Sequence, residues 1–149
     1  MGRLLAQKTG WDFIDTDSWI ETQAKQQIGE IFATQGESAF REMERACIVA
    51  LANQGACIVA TGGGLPIALG GLQPYGYSVY LSLLFDAIVA RMSEEERGKR
   101  PLFQDDAKAH SLYEARAPLY EKYADLTLDA TQNLGIIVEQ IIKNYHFRS

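Results

Sequence analysis

Asp15 and Asp17 are two side chains whose type and spacing could do chemistry. They stand at i and i+2 at the end of the short run WDFID, which is typical of a strand. Open α/β sheets bind ligands where their strands reach the carboxyl end, so both carboxylates could face one crevice. One would suit a magnesium ion and the other a substrate hydroxyl. The alternative, that Asp17 or Ser18 only caps the next helix, is equally open at this point.

Three consecutive glycines, Gly62 to Gly64, follow a second apolar run, ACIVAT. Without side chains, the backbone can approach a ligand closely and present its N–H groups to it. A simple tight turn rarely needs three glycines. The run therefore favours a ligand-binding loop over a flexible connector.

Three arginines are candidate partners for an anion. Arg41 lies early in a predicted helix with Glu44 three residues on, Arg116 lies just before Pro118, and Arg100 lies in a densely charged stretch. Taken singly, each arginine has a simpler interpretation as a solvated surface charge. A further observation is needed to assign any of them to a site.

Short β-rich runs alternate with longer helical patterns, which predicts a parallel sheet covered by helices. The predicted strands cover residues 11–15, 56–61, 77–83 and 125–129. The predicted helices cover residues 1–10, 18–27, 37–53, 86–92, 108–115 and 134–145. The sequence therefore predicts a single α/β domain.

The boundaries of these elements depend on a few local signals. Ser18 followed by Glu21 predicts a capping box at the start of the second helix. Gly36 breaks the apolar run before the third helix, residues 65–76 with their prolines and glycines predict a loop, and Pro118 predicts a helix interruption.

Composition excludes several classes of protein. The 149 residues fit one domain with one core. A net charge of −5 without a stripe of Lys or Arg argues against a nucleic-acid or anionic-membrane surface. Cys47 and Cys57 lie in apolar stretches, which predicts buried reduced thiols. No apolar run approaches the ~18 residues of a membrane span, so a cytoplasmic protein is expected.

Five segments together resemble shikimate kinases, small members of the P-loop nucleoside monophosphate kinase-like group: FIDTD, IFATQGESAFREMER, ATGGG, KRPLF and RAPLYEKYADL. They occur in that family's order and at its approximate spacings, and GExxFRxxE followed by TGGG is specific. The resemblance implies a three-layer α/β/α fold with a parallel sheet of order 2-3-1-4-5. It also implies one domain over residues 1–149 with a mobile lid at about 93–107.

The resemblance implies an activity and an acceptor site. The enzymes transfer the γ-phosphoryl group of ATP, with Mg²⁺, to the 3-hydroxyl of shikimate in aromatic amino acid (chorismate) biosynthesis. Asp17 would hold the accepting hydroxyl and act as its base. Arg41 and Arg116 would grip the shikimate carboxylate, for which the guanidinium fork is well shaped. Gly63 and Gly64 would contact the ring hydroxyls.

The resemblance also implies residues on the nucleotide side. Asp15 would sit by the magnesium ion. Arg100 resembles the lid arginine that neutralises charge on the transferring phosphoryl group, and so would be catalytic. Arg91 resembles an arginine that stacks on adenine, and Arg97 could take the place of Arg100 because the lid segment SEEERGK is longer than the common one.

Members of the resembled family begin with a strand and a loop resembling G-x-x-G-x-G-K-[ST], directly before a T-V-G-R-x-L-A helix. Here Met1 to Ala6 aligns within that helix, and no other stretch of the sequence matches the loop. The chain as written is therefore expected to bind ATP poorly and to have little or no kinase activity. Because the absent strand is central, strands 11–15 and 56–61 are expected to separate from strands 77–83 and 125–129.

Several interpretations stay open. The natural protein is an ordinary shikimate kinase with upstream residues, or the chain is a non-catalytic, shikimate-binding or regulatory relative. In the second case the two halves close up or another chain supplies a strand, although a monomer is the simpler expectation. A third alternative is another small-molecule kinase such as a gluconate kinase, which the segments GExxFR and RxPLYxxxAD disfavour.

Overall fold

The structure is a computed structural model that describes residues 1–84, 87 and 106–148. The described part of the chain contains six helices and four strands. In chain order these are α1 (Gly2–Thr9), β1 (Asp12–Asp15), α2 (Thr16–Ala24), α3 (Ile28–Ala52), β2 (Cys57–Ala60), α4 (Gly64–Leu69), β3 (Val79–Ser82), α5 (Asp106–Tyr123), β4 (Leu126–Asp129) and α6 (Leu134–Arg148). Of the predicted helix at 86–92 the structure describes residue 87 alone, and the predicted lid up to residue 105 lies outside the described residues. Residues 106 and 107 belong to α5.

The four strands form two separate parallel pairs. β1 pairs with β2, with Asp15 opposite Ala60, and β3 pairs with β4, with Ser82 opposite Asp129. Alternating strands and helices with parallel pairing confirm the predicted α/β class. The expected separation of the first two strands from the last two is also confirmed.

β2 is less buried than its sequence predicts. A near-continuous apolar run such as CIVA predicts a strand covered on both faces, yet all four residues are half-buried. β1 is its one partner strand among the described residues. The prediction of full burial is wrong because the strand forms one side of a two-stranded sheet instead of lying inside a larger one.

A shared apolar core lies under both strand pairs. Leu5 of α1 packs with three side chains of α6, namely Ile137, Val138 and Ile141. Ile58 of β2 and Leu81 of β3 both contact this cluster. Side-chain packing on α1 and α6 therefore connects the two strand pairs. A second cluster between α2 and α3 includes Ile20, Ile31, Phe40, Cys47 and Leu51.

Two glycines act as their sequence positions predict. Gly10 ends α1 in the left-handed region with φ +76°, and its N–H donates to the Ala6 carbonyl at 2.8 Å. Gly36 interrupts α3 with φ +86° and ψ 173°, which produces a kink. The first turn of α1 has no side-chain cap from Met1, as expected from the sequence.

The predicted capping box of α2 is wrong. The helix begins at Thr16, because Oδ1 of Asp15 accepts the N–H groups of Asp17 at 2.9 Å and Ser18 at 3.2 Å. Glu21 caps a different helix: its Oε2 accepts the N–H of Ile28, the first residue of α3, at 3.0 Å. The cap belongs to the aspartate at the strand end, three residues before Ser18.

Both proline-based boundaries are also wrong. Pro66 lies in the first turn of α4, where a missing N–H leaves no helical hydrogen bond unmade. Pro118 lies inside α5, which continues to Tyr123. The turn after Pro118 has tertiary contacts, since the Tyr120 ring packs against Tyr80 at 5.2 Å between centroids. These contacts stabilise a helix that local propensity alone would end.

Both cysteines are free thiols, with Cys47 buried and Cys57 half-buried, so the predicted burial holds fully for one of them. Among the described residues, none of the helices has the length and apolar character that a membrane span requires.

Candidate active site

The candidate site lies at the carboxyl ends of β1 and β2. Asp15 ends β1 opposite Ala60, and the glycine loop, Gly62–Gly64, follows directly after β2. Asp17 lies in the first turn of α2, which begins where β1 ends. Parallel pairing therefore places the two predicted motifs side by side at one sheet edge.

The second and third glycines of the loop are in contact with side chains from two helices. A Cβ on Gly64 would lie 2.5 Å from Cζ of Arg41, which comes from α3. A Cβ on Gly63 would lie 3.5 Å from Nη1 of Arg116 and 2.7 Å from Oη of Tyr120, both from α5. A side chain at either position would displace the guanidinium or the phenol, so glycine allows both groups to lie against the loop.

The first glycine faces carboxylates. A Cβ on Gly62 would lie 3.4 Å from Oδ1 of Asp17 and 3.7 Å from Oε2 of Glu44. The structure therefore brings Asp17, Arg41 and Arg116, from three different helices, to one glycine loop. Their roles in binding and catalysis stay predictions.

Arg41 is held by two carboxylates of its own helix. Its Nη1 donates to Oε1 of Glu44 at 2.5 Å, and its Nη2 donates to Oε1 of Glu37 at 3.3 Å. The Glu44 side chain is 1% exposed, whereas Glu37 is 66% exposed. Burial opposes the charged guanidinium, but these bonds outweigh it and raise the pKa of Arg41. The guanidinium is thus charged and fixed in direction.

Glu44 was not singled out as a site residue by sequence reasoning. Burial raises the pKa of its carboxyl, and the negative charge of Asp17 adds to the rise. The bond to Arg41 and the charge of Arg116 act in the opposite direction. A signal for Glu44 was available, since it stands three residues after Arg41 on the same helical face.

Tyr120 makes two kinds of contact at the candidate site. Its ring does pack against Tyr80, but its hydroxyl also donates to the Gly63 carbonyl at 2.6 Å. Sequence offered no signal for this bond, because the two residues stand 57 positions apart.

Asp15 is the candidate magnesium ligand, and its cap bonds limit what it can offer. Both of those bonds use Oδ1. Among the described residues Oδ2 has no such bond, so it can contact a metal ion. Within the same part of the chain, no group of three or more His, Cys, Asp or Glu could hold a metal ion. Magnesium is commonly held by one or two carboxylates, substrate phosphates and water, so Asp15 fits as a single carboxylate contact.

The three arginines predicted for the nucleotide side, Arg91, Arg97 and Arg100, lie outside the described residues. The described site therefore consists of the residues predicted to bind the acceptor and of Asp15.

Comparison with known proteins identifies the family. A family model described as shikimate kinase matches residues 1–146. This chain belongs to the shikimate kinase family. A curated shikimate kinase from Helicobacter hepaticus is 37% identical over 144 residues, covering 96% of this chain and 86% of the relative. One from Vibrio cholerae is 37% identical over 150 residues, covering 96% of this chain and 85% of the relative.

Solved shikimate kinases share the fold. The enzyme from Acinetobacter baumannii, solved in complex with shikimate, has a TM-score of 0.85 and 28% identity, covering 99% of this chain and 86% of that structure. The enzyme from Aquifex aeolicus has a TM-score of 0.80 and 26% identity, covering 97% and 87%. As a family member the chain is an enzyme of the phosphotransferase class, and shikimate kinases generally use ATP. The family match confirms the predicted P-loop kinase-like α/β fold.

Proposed function

We propose that Arg41, Arg116 and the glycine loop bind shikimate, and that Asp17 presents its 3-hydroxyl for phosphorylation by ATP. The observation that carries this proposal is the convergence of two guanidinium groups and one carboxylate on Gly62–Gly64. The pairing of cations with an acid–base group suits a small acid that carries hydroxyl groups.

The two arginines supply charge for the carboxylate of the substrate. Each guanidinium can donate two parallel hydrogen bonds to a carboxylate. Arg41 is already oriented by Glu44 at 2.5 Å, so little rotamer freedom remains to be lost on binding. Glycines at 63 and 64 allow the guanidinium of Arg41 and the hydroxyl of Tyr120 to lie against the loop, because neither glycine has a side chain in that space.

Asp17 is the proposed base. Its Oδ1 lies beside Gly62, 3.4 Å from where a Cβ would stand, at the same loop as both arginines. A carboxylate there can accept the proton of the acceptor hydroxyl as the hydroxyl attacks the γ-phosphorus and ADP leaves with the bridging oxygen. Such a base contributes about 10²–10⁴ in rate. Positioning of the hydroxyl by the glycine loop adds to this effect, since phosphoryl transfer depends mainly on alignment and charge.

On the donor side, Oδ2 of Asp15 would contact Mg²⁺ directly or through water. The ion neutralises charge on the transferring phosphates when bound. The printed sequence contains no G-x-x-G-x-G-K-[ST] segment. The proposal therefore assigns more residues to the shikimate side of the site than to the ATP side.

Calorimetry with a panel of ligands tests the acceptor site. Shikimate is expected to bind, whereas gluconate and the methyl ester of shikimate are expected to bind at least about tenfold more weakly, because one has a different shape and the other has no charge for the arginines. Arg41→Lys should weaken shikimate binding, and the matched change Arg45→Lys, at a half-exposed arginine of the same helix, should not. Absence of heat with shikimate, or equal affinity for gluconate, contradicts the proposal.

Shikimate-dependent ADP formation, measured with ATP and Mg²⁺, tests the reaction. Asp17→Asn is expected to lower kcat by about 10²–10⁴ while changing the Kd for shikimate only a few-fold. A chain that binds shikimate but forms no ADP would instead be the non-catalytic relative.

A further inference from the structure

We infer that Tyr120 is a positioning residue for the glycine loop, and that its hydroxyl fixes the direction of the Gly64 N–H for the bound acid. The inference rests on the proposed shikimate site. It assigns a task to a side chain outside the predicted binding set.

The hydrogen bond sets the orientation of one peptide group. Oη of Tyr120 donates to the carbonyl of Gly63 at 2.6 Å. This carbonyl and the N–H of Gly64 belong to the same planar trans peptide, so they point in opposite directions. Gly63 caps α4 with helical backbone angles, φ −65° and ψ −24°, and Gly64 is the first residue of that helix. The bond from Tyr120 adds a side-chain contact to the same peptide.

The ring of Tyr120 makes the anchor rigid. It packs against Tyr80 of β3, with centroids 5.2 Å apart and an interplanar angle of 45°. The glycine loop follows β2, which belongs to the other strand pair. One side chain thus contacts both strand pairs at the candidate site, where no backbone ladder joins the two pairs in the described residues.

The same contact links the two arginines. Tyr120 stands four residues after Arg116, so both lie on one face of α5. That face meets Gly63, while the guanidinium of Arg41 meets Gly64. A fixed Gly63–Gly64 peptide therefore keeps the guanidinium groups of Arg41 and Arg116 at constant distances from the loop.

The test compares Tyr120→Phe, which keeps the ring and removes the hydroxyl, with Tyr123→Phe on the same helix, whose ring lies near Gly71. Loss of the single hydrogen bond predicts a Kd for shikimate about fivefold higher in Tyr120→Phe. The melting temperature should match that of Tyr123→Phe. In ¹H–¹⁵N spectra the Gly64 amide signal should shift in Tyr120→Phe and not in the control.

A second variant keeps the test decisive. The Cβ of Gly63→Ala would meet Oη of Tyr120 at 2.7 Å and the other nearby atoms at 3.5 Å or more. Gly63→Ala should therefore weaken shikimate binding less in the Tyr120→Phe background than in the natural chain. An unchanged Kd in Tyr120→Phe, or an equal effect of Gly63→Ala in both backgrounds, overturns the inference. If the natural chain binds no shikimate, the proposed function fails, and an unshifted Gly64 signal then also overturns the positioning role.

Discussion

Arg41 and Glu44 form an ion pair of 2.5 Å in which the carboxylate is 1% exposed and the guanidinium 19% exposed. The two side chains reach the glycine loop at different points, Arg41 at Gly64 and Glu44 at Gly62. The pair therefore spans the loop. The buried Glu44 carboxylate holds the guanidinium of Arg41, so α3 presents this arginine in a fixed direction.

Replacing Glu44 with Gln removes the charge that compensates Arg41 and keeps the side-chain shape. The free energy of unfolding is expected to fall by about 1–3 kcal/mol, because a buried charged hydrogen bond is lost. Glu42→Gln is the control, since Glu42 is 76% exposed and 4.0 Å from Arg45, and a change below about 0.5 kcal/mol is expected there. Urea unfolding measures both variants, and equal values for the two would show that burial of Glu44 has no energetic effect.

Replacing Gly64 with Ala is expected to weaken shikimate binding. Gly64 has no left-handed backbone angle, so the alanine is allowed, but its Cβ would stand 2.5 Å from Cζ of Arg41 and displace the guanidinium. The Kd for shikimate should rise at least about tenfold, roughly the effect of losing one charge-assisted hydrogen bond.

Gly29→Ala is the matched control for this change. Gly29 lies in α3, and beyond the backbone of its own helix no described atom lies within 4 Å of where a Cβ would stand. Alanine there should leave shikimate binding unchanged and raise the free energy of unfolding by up to about 1 kcal/mol. If Gly64→Ala binds shikimate as well as Gly29→Ala does, the close approach of Arg41 has no role in recognition.

The order of helices and strands could be predicted from sequence, because the spacing of apolar residues and the positions of glycines indicate where each element begins and ends. Gly10 and Gly36 marked a helix end and a kink that the structure contains. The separation of the strands into two pairs followed from the expected order of the sheet. Errors occurred where two local signals competed, as when Asp15 rather than Ser18 capped α2, or where tertiary contacts overrode a breaker, as at Pro118 in α5.

The site was predictable only in part. Asp17, Arg41 and Arg116 lie at the glycine loop, as the motifs predicted. The side chains that orient these three residues could not be derived from the sequence motifs. The bond between Tyr120 and Gly63 joins residues 57 positions apart, and depends on how α5 packs against the loop.

Cys47 predicts a change of stability at alkaline pH. Burial, together with the nearby carboxylates of Glu44, Asp17 and Asp15, raises the pKa of its thiol from 9.0 to about 11. Between these values the unfolded chain loses the proton and the folded chain keeps it. The free energy of unfolding therefore falls as pH rises from 9.0 to about 11, by up to about 2–3 kcal/mol.

Comparison of natural chain and Cys47→Ala isolates this contribution. The difference in unfolding free energy between the two should be constant below pH 9.0 and should change towards pH 11. Cys57→Ala, at a half-buried thiol, should show a smaller change over the same range. A difference that does not vary with pH would mean that Cys47 titrates alike in both states.

Strand edges predict a pattern of amide exchange. Within the described residues each strand has one partner, so part of the backbone N–H groups of β2 and β3 lack a ladder bond. Hydrogen exchange measured by mass spectrometry should be faster in these strands than in α3 between Phe40 and Leu51, which packs in the core. Equal protection would indicate that the two strand pairs are joined through their backbones.

The most direct test of the proposed site is a crystal structure of this chain with shikimate. The carboxylate is predicted to lie within hydrogen-bonding distance of both Arg41 and Arg116, with a ring hydroxyl at Asp17 and the ring against Gly63 and Gly64. Shikimate bound elsewhere, or bound here with its carboxylate away from both arginines, would contradict the account.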